Sequence, residues 1–221
     1  MTPPHTQINS PDDAPPRQRN RLTRSRIVDA ALAIVRAEGL TALTMRRVAA
    51  DLKAGAMSLY RHVADRDDLL VGMMDHVALG IEPPEPQSGD REEIVAIMMA
   101  FHRAFRRDPW LVHVLLFEGR GSLNVLPLFD RLFAAMTRLG CSSAECIELH
   151  SLLLHYAYGE SLSYQTKDTR LAVRQNWDSA AFADFPAAMA VNAAAKDWPY
   201  DEFERNIRRI VARIIAQVSV G

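Results

Sequence analysis

The sequence predicts an all-α protein, with a small N-terminal helical domain followed by a larger helical one. Apolar residues recur at spacings of three and four through most of the chain, as in helices that bury one face. Residues that cap helices and glycines that end them divide this pattern into short segments. The alternating pattern of a half-buried strand and the Asn-Gly signal of a hairpin do not occur in the sequence.

The composition of the 221 residues supports a packed core, because 48% are hydrophobic and 24% are charged. No run approaches the roughly 18 apolar residues that a membrane-spanning helix needs, so we expect no membrane partner. Residues 1–20 are rich in proline and polar residues, which predicts a disordered arm without a secretory signal. Cys141 and Cys146 are expected to be ordinary thiols in a reducing cytoplasm.

Charge is distributed unevenly along the chain. Residues 17–66 hold eleven basic and four acidic residues, a net charge of about +7. The rest of the chain holds the other 15 basic and 23 acidic residues, a net charge of about −8. A basic segment attached to an acidic body suggests that only this segment meets a polyanion such as DNA. The alternative is that these arginines merely solvate helix faces.

Two helices with clear capping signals are predicted in the basic segment. The first runs from Thr23 to Glu38, and Gly39 stands where a left-handed C-terminal cap is expected. Thr44 is placed to cap the second, which continues to Leu52.

Two further helices follow a short turn. The turn, Lys53 to Ala56, contains Gly55. The third helix is predicted over 56–63, with Leu59 and Val63 facing inward. Asp65 is expected to cap the fourth, which continues to Leu79.

Gly80 and the proline-rich stretch 82–89 form the clearest boundary in the sequence. Asp90 and Glu93 beyond it have the spacing of a capping box, which predicts a helix start at Asp90. Further helices are predicted from Asp108-Pro109, over 123–139 with Gly140 at the end, over 142–165 from a Ser142-x-x-Glu145 box, over 186–196, and from Asp201-x-x-Glu204. Residues 166–184 are predicted to be irregular. The domains expected are therefore 21–80 and 81–221.

The second and third helices have the arrangement of a helix-turn-helix DNA-binding unit. One helix braces a second that is narrow enough to enter the major groove. The bracing helix here is 44–52 and the reading helix is 56–63.

The same residues resemble a known family. Leu-Thr-Met-Arg-Arg-Val-Ala-Ala-Asp-Leu at 43–52, Ala-Met-Ser-Leu-Tyr-Arg-His-Val at 56–63 and Asp-Arg-Asp-Asp-Leu-Leu at 65–70 are similar to the DNA-binding head of tetracycline-repressor-type (TetR) regulators. The resemblance covers roughly residues 22–78. It implies a homodimer that binds a palindromic double-stranded DNA operator, with a pocket for a small-molecule effector in the larger domain. It also implies that the effector shifts the fourth helix and so the separation of the two reading helices.

The turn departs from the family pattern. Lys53-Ala54-Gly55 stand where Gly-Val-Ser is usual. Lys53 must then accept a left-handed backbone conformation, at a cost of about 1 kcal/mol. Gly55 lacks the side chain that would cap the reading helix, which costs a few tenths of a kcal/mol.

Side chains in and beside the two helices are candidates for DNA contact. Arg46 is expected to donate two hydrogen bonds to a guanine edge. Met57 and Ser58, at the start of the reading helix, are placed against base edges or thymine methyl groups. Phosphate contacts are expected from Thr44, Tyr60, His62 and Arg66, while Arg61 suits either role. Arg17, Arg19 and Arg21 are candidates for a minor-groove arm.

The larger domain is expected to form the dimer. The helix over 142–165 is apolar on most sides, so it needs cover from its own domain and from a neighbour. The last helix has an apolar stripe with its arginines outside it. Pairing of these two helices with their symmetry mates would form a four-helix bundle, as the resemblance implies. An entirely intrachain core is the alternative.

A pocket for an effector combines apolar walls with a few polar groups. Each candidate residue is alternatively an ordinary core side chain, and no cofactor or metal is expected. The candidates are His102, Trp110, His113, Phe117, His155, Tyr158 and Glu160.

An enzyme is the main rival class. The sequence lacks a Walker loop, a G-x-S-x-G elbow and an H-E-x-x-H pair. His150 and His155 are five residues apart and so do not share a helix face. A ligand-independent DNA-binding dimer, or an activator, is the alternative within DNA-binding proteins.

Overall fold

The computed structural model describes residues 21–165, 185–188, 190 and 202–218. Over these residues the chain is helical with no strand, which confirms the all-α prediction. It divides into two compact units, Met1–Met73 and Met74–Gly221. We call them the N-terminal and C-terminal units and describe each by itself.

The N-terminal unit begins with two helices that start where the sequence predicts. Helix α1 (Arg24–Glu38) is capped by Thr23, whose hydroxyl accepts from the Arg26 N–H at 3.3 Å. Gly39 has the positive φ of 84° expected after α1, although its ψ of 170° lies outside the left-handed helical region. Helix α2 (Met45–Asp51) is capped by Thr44.

The turn and the reading helix follow. Lys53 has a φ of 51°, so it adopts the left-handed conformation that the sequence predicts. Helix α3 (Ala56–Leu59) is a single turn, shorter than the predicted 56–63. The chain continues through turn hydrogen bonds from the His62 and Val63 N–H groups to the Leu59 carbonyl. Helix α4 (Arg66–Leu79) then starts at the predicted Asp65 cap, which accepts from the Asp68 N–H at 2.8 Å.

Helix α5 (Asp90–Arg107) is the centre of the C-terminal unit and packs against α7, α8 and α9. The predicted capping box at its start is wrong, because the N-cap is Gly89 rather than Asp90. Glu93 turns instead to the N–H of Gln87 and to the guanidinium of Arg131, which bind its carboxylate at 2.9 and 2.8 Å. This buried carboxylate thereby joins α5 to the preceding loop and to α7.

The chain after α5 is less regular than predicted. Helix α6 (Trp110–His113) is one turn long and passes into a π-helical turn, Val114–Glu118, which ends at Gly119. A 3-10 turn, Leu123–Val125, leads into α7 (Leu126–Arg138), so the predicted helix over 123–139 begins in a tighter form.

Two long helices complete the unit. Helix α8 (Ser143–Gln165) begins with the predicted capping box, in which Ser142 and Glu145 bind each other's N–H groups at 2.8 and 3.3 Å. Helix α9 runs over Phe203–Val218. The predicted cap at Asp201, the irregular stretch 166–184 and most of the predicted helix 186–196 lie outside the described residues. No helix among the described residues is long and apolar enough to cross a membrane.

Candidate nucleic-acid interface and ligand cavity

The reading segment turns one side to the core of the N-terminal unit and the other to solvent. Leu59 and Val63 are fully buried, whereas Met57 is 79% and Tyr60 45% exposed. The segment is therefore anchored to the core on one side and presents side chains to solvent on the other, as a helix must to enter a groove.

The two arginines of the bracing helix have different surroundings. Arg47 is tied to Glu38 by an ion pair of 2.6 Å, and this hydrogen bond raises the pKa of Arg47. Arg46, one residue earlier, is exposed and forms no ion pair within the described part of the chain. Arg61, in the turn after α3, is exposed in the same way. Arg46 and Arg61 thus present their guanidinium groups to solvent.

The other predicted contact residues have partly structural roles in this state. Thr44 is exposed, but its hydroxyl accepts from the Arg47 N–H at 3.1 Å. Ser58, His62 and Arg66 are half-buried. The N–H of Ser58 bonds to the Gly55 carbonyl at 2.9 Å, since Gly55 offers no side-chain cap.

A residue that sequence reasoning missed fixes the end of the reading segment. Arg24, on α1, donates to the backbone carbonyl of His62 at 3.1 Å and also holds Asp68 at the start of α4. The partners are 38 and 44 residues away from Arg24 in the sequence, so no local sequence pattern indicates these contacts.

The C-terminal unit contains an apolar cavity of about 150 Å³. Aromatic rings form much of its wall: Phe101 lies 5.3 Å from Phe129, and Phe105 lies edge-on to Tyr158 at 5.1 Å between centroids. Among the described residues, the lining is Met74, Val77, Ala78, Ile81, Phe101, Ala104, Phe105, Leu111, Leu115, Gly121, Ser122, Val125, Phe129, Leu154 and Tyr158. None of these residues carries a charged side chain, which suits an uncharged, largely apolar ligand.

Two of these lining residues, Ser122 and Tyr158, carry hydroxyl groups. Burial raises the pKa of Tyr158, so its phenol stays protonated at neutral pH and can donate a hydrogen bond. Ser122 donates to the Asp75 carboxylate at 2.6 Å.

Tyr158 is the one predicted pocket residue that lines this cavity. His102 is buried elsewhere and stacks on Phe203 at 3.8 Å between ring centroids. Trp110 is buried too, and its indole N–H donates to Asp108 at 3.3 Å.

The remaining pocket predictions fall outside the cavity wall. His113 is exposed beside Phe117, which is 73% exposed. His155 is exposed on α8. Glu160 accepts from the Tyr156 hydroxyl at 2.9 Å. Burial, together with this bond to Glu160, raises the pKa of Tyr156 to about 12.

The described residues were compared with the requirements of a metal site and of a reactive thiol. They contain no group of three or more histidine, cysteine or acidic side chains that could hold a metal ion. Cys141 and Cys146 are free and buried, and burial raises the pKa of the Cys141 thiol above its ordinary value. A raised pKa makes a thiol less reactive.

A braced, outward-facing reading helix on a basic segment, in a chain whose C-terminal helical unit contains an apolar cavity, is the arrangement typical of helix-turn-helix transcriptional regulators. Comparison with known proteins gives the family. The chain is 33% identical over 153 residues to the HTH-type transcriptional repressor DrrR1 of Streptomyces coeruleorubidus, covering 67% of this chain and 57% of that protein's length. It is 30% identical over 205 residues to an HTH-type transcriptional regulator of Saccharopolyspora erythraea, covering 88% of this chain and 85% of that one.

Solved structures agree with these relatives. The TetR family protein ActR of Streptomyces coelicolor superposes with a TM-score of 0.73 without ligand and 0.75 in complex with actinorhodin. The identities are 29% and 28%, and the alignments cover 90% and 89% of this chain and 97% and 96% of ActR. No family model matches the chain, so its family follows from these relatives and structures. The chain belongs to the TetR family of transcriptional regulators.

Proposed function

We propose that the protein is a repressor that binds a palindromic operator as a homodimer in the cytoplasm and is released by a small uncharged effector. The observation that carries its DNA-binding role is the reading segment, buried through Leu59 and Val63 and exposed through Met57 and Tyr60. The relative named a transcriptional repressor supports repression as the direction of control.

The DNA contacts divide between bases and backbone. Arg46, exposed and without an ion pair among the described residues, is suited to the two acceptors of a guanine edge. Met57 and Ser58 are proposed to lie against bases at the start of the reading helix. The proposed phosphate contacts come from Thr44, Tyr60, His62 and Arg66, while Arg61 suits a base or a phosphate.

Helix α8 is the proposed dimer surface. Ile147, Leu152 and Leu162 are exposed large apolar residues, and the helical rotation places them within roughly 140° of one another. On α9 the buried residues, Phe203 and Ile207 among them, repeat at intervals of four, with exposed arginines outside this stripe. Covering the apolar face of α8 with a second copy removes it from water.

The proposed effector occupies the apolar cavity of the C-terminal unit. The lining is aromatic and aliphatic, with the Tyr158 hydroxyl as a hydrogen-bond donor. ActR, a similar protein, is solved with actinorhodin and with (S)-DNPA, which supports small-molecule binding in this body. A charged ligand would lie against this lining without a paired charge, so we expect a neutral one.

Helix α4 is the proposed connection between effector and DNA. Its C-terminal half contributes Met74, Val77 and Ala78 to the cavity lining. Its N-terminal turn contains Asp68, which binds the N–H of Ala64 just after the reading segment at 2.8 Å. An effector that favours one position of α4 would shift the equilibrium between DNA-binding and released states by its difference in affinity for them.

Footprinting with a salt titration tests this proposal on DNA from the upstream region of the protein's own gene. We expect one protected palindrome and an affinity that falls steeply with salt. Arg46→Ala should weaken binding, while Arg91→Ala, which removes another exposed arginine, on α5, should not. Diffuse protection without a palindrome would favour an architectural DNA-binding protein and contradict the repressor.

A further inference from the structure

The chain between α6 and α7 leaves regular α-helical geometry next to the cavity. It passes through the π-helical turn Val114–Glu118 and then Gly119, which has φ 61° and ψ 29°. The 3-10 turn Leu123–Val125 precedes α7. Single π-helical turns often mark functional sites, and their backbone is less favourable than an α-helix. We call residues 119–124 the cavity loop.

The cavity loop and its flanks form part of the cavity wall. Gly121 and Ser122 belong to the lining, together with Leu115 before the loop and Val125 after it. The outer side of the same segment is apolar and exposed, since Phe117 is 73% and Leu123 78% exposed. Burial of these two side chains therefore contributes little to holding this segment in place.

Hydrogen bonds to one carboxylate fasten the loop. The Ser122 hydroxyl donates to Oδ1 of Asp75 at 2.6 Å, and the Asn124 side-chain amide donates to the same oxygen at 3.1 Å. The Asn124 backbone N–H donates to the Ser122 hydroxyl oxygen at 3.1 Å, which orients that hydroxyl. Asp75 lies on α4, directly after the cavity-lining Met74.

The cavity, which is partly open to solvent, is small for an effector. A cavity of about 150 Å³ is the size that holds benzene, whereas sites for larger ligands have volumes of roughly 300–1,000 Å³. A ligand of several rings therefore needs one wall to move. The cavity loop is irregular in backbone and exposed on its outer side, so we take it as the part of the wall that moves.

We propose that Asp75 is a latch that holds the cavity loop in place and so limits the size of the ligand that the cavity accepts. A single aromatic ring fits without opening, and a larger ligand binds after the bonds from Ser122 and Asn124 to Asp75 have broken. The latch rests on the proposed function of the cavity as the effector site. It makes Asp75 a specificity-determining residue, although Asp75 itself does not line the cavity.

Two neutral aromatic probes of different size test the latch on the full chain. Fluorobenzene, a single ring, is followed by its fluorine NMR signal, and N-phenyl-1-naphthylamine by its fluorescence in stopped flow. Asp75→Ala should speed association of the larger probe about tenfold, since hydrogen bonds to a carboxylate are lost. Asn124→Ala, which removes one of the two direct bonds, should speed it about threefold. Fluorobenzene affinity should stay within twofold in both variants.

Asp130→Ala is the matched control, because Asp130 is an exposed carboxylate on α7 outside the cavity lining. It should leave both probes unchanged. If Asp75→Ala fails to fold, Asn124→Ala is used for the test instead, because Asn124 is exposed and its truncation should disturb the fold little.

The possible outcomes distinguish failure of the latch from failure of the proposed effector site. Fluorobenzene binding with identical kinetics of the larger probe in wild type, Asp75→Ala and Asn124→Ala would overturn the latch and leave the effector site standing. Failure of both probes to bind any variant would overturn the effector site and the latch together.

Discussion

Arg24 on α1 and Asp68 on α4 form a two-pronged ion pair, with Nη1–Oδ2 at 2.8 Å and Nη2–Oδ1 at 2.6 Å. The N–H of Ala64 donates to the same carboxylate at 2.8 Å. These bonds join the first helix to the residues that follow the reading segment, within the N-terminal unit. The hydrogen bond from Arg24, together with the one from Ala64, lowers the pKa of Asp68 from its ordinary 3.8 to about 2.

The first prediction concerns stability against pH. Because the pKa of Asp68 is lower in the folded state, its contribution is complete above about pH 5 and is lost as pH falls from about 4 towards 2. The pair is partly exposed, so we expect Asp68→Asn to cost about 1 kcal/mol at pH 7. Hydrogen exchange of α1 amides measures this cost, and the difference from wild type should shrink below pH 4. A difference that grows on acidification would contradict a stabilising Arg24–Asp68 ion pair. Asp51→Asn, which changes an exposed carboxylate, is the control and should change stability little.

The second prediction concerns the turn before the reading helix. Lys53 has a φ of 51°, which costs a side-chain-bearing residue more than glycine. Lys53→Gly should therefore raise the free energy of unfolding by about 0.5–1 kcal/mol, measured by urea denaturation. Ala54→Gly is the matched control, because Ala54 does not have a positive φ, and it should lower stability by about 0.4–1 kcal/mol. Equal effects of the two substitutions would show that the Lys53 conformation carries no strain.

The third prediction concerns the dimer surface on α8. Leu152 is 46% exposed, so Leu152→Glu leaves the packing of a single copy largely unchanged while placing charge in the proposed interface. We expect a monomer in sedimentation velocity at micromolar concentration, with DNA binding weakened. Ser143→Glu, at an exposed position in the first turn of α8, is the control and should remain dimeric. A wild-type chain that sediments as a monomer at this concentration would contradict the proposed homodimer.

The fourth prediction concerns the cavity. Ala104 is buried on α5 and lines the cavity, so Ala104→Leu should fill part of it without overpacking. We expect fluorobenzene binding to be lost, DNA binding to be kept and stability to change by less than about 1 kcal/mol. Ala135→Leu, at a buried site on α7 that does not line the cavity, should instead cost about 1–3 kcal/mol. Unchanged probe affinity in Ala104→Leu would place ligand binding elsewhere.

The features that the sequence predicted correctly depend on neighbouring residues. The cap at Thr44 and the Ser142–Glu145 box each involve positions at most three apart, and the left-handed Lys53 follows from its place in the family's turn pattern. The extra turn expected of α3 is missing, although Leu59 and Val63 bury their side chains as the pattern indicated. Apolar spacing reports which side is buried and does not fix where helical hydrogen bonding ends.

The cavity and its latch lay beyond sequence reasoning because they depend on distant pairings. Asp75 meets Ser122 and Asn124 across 47 and 49 positions. Residue type alone predicts seven polar and aromatic residues of the larger domain as pocket candidates, and of these only Tyr158 lies in the wall. His102 shows why, since its ring is used in packing on Phe203. Which side of a helix faces a cavity is decided by tertiary packing.

The most direct test of the account is a set of binding isotherms for wild type and Arg46→Ala on operators that carry single base substitutions. If Arg46 reads a guanine in the major groove, the variant should bind about 5- to 150-fold more weakly, equivalent to about 1–3 kcal/mol. It should also lose its preference at one base pair in each half-site and keep it elsewhere. Uniform weakening at every position, with the base preferences of the wild type intact, would contradict the proposed reading of DNA by this segment.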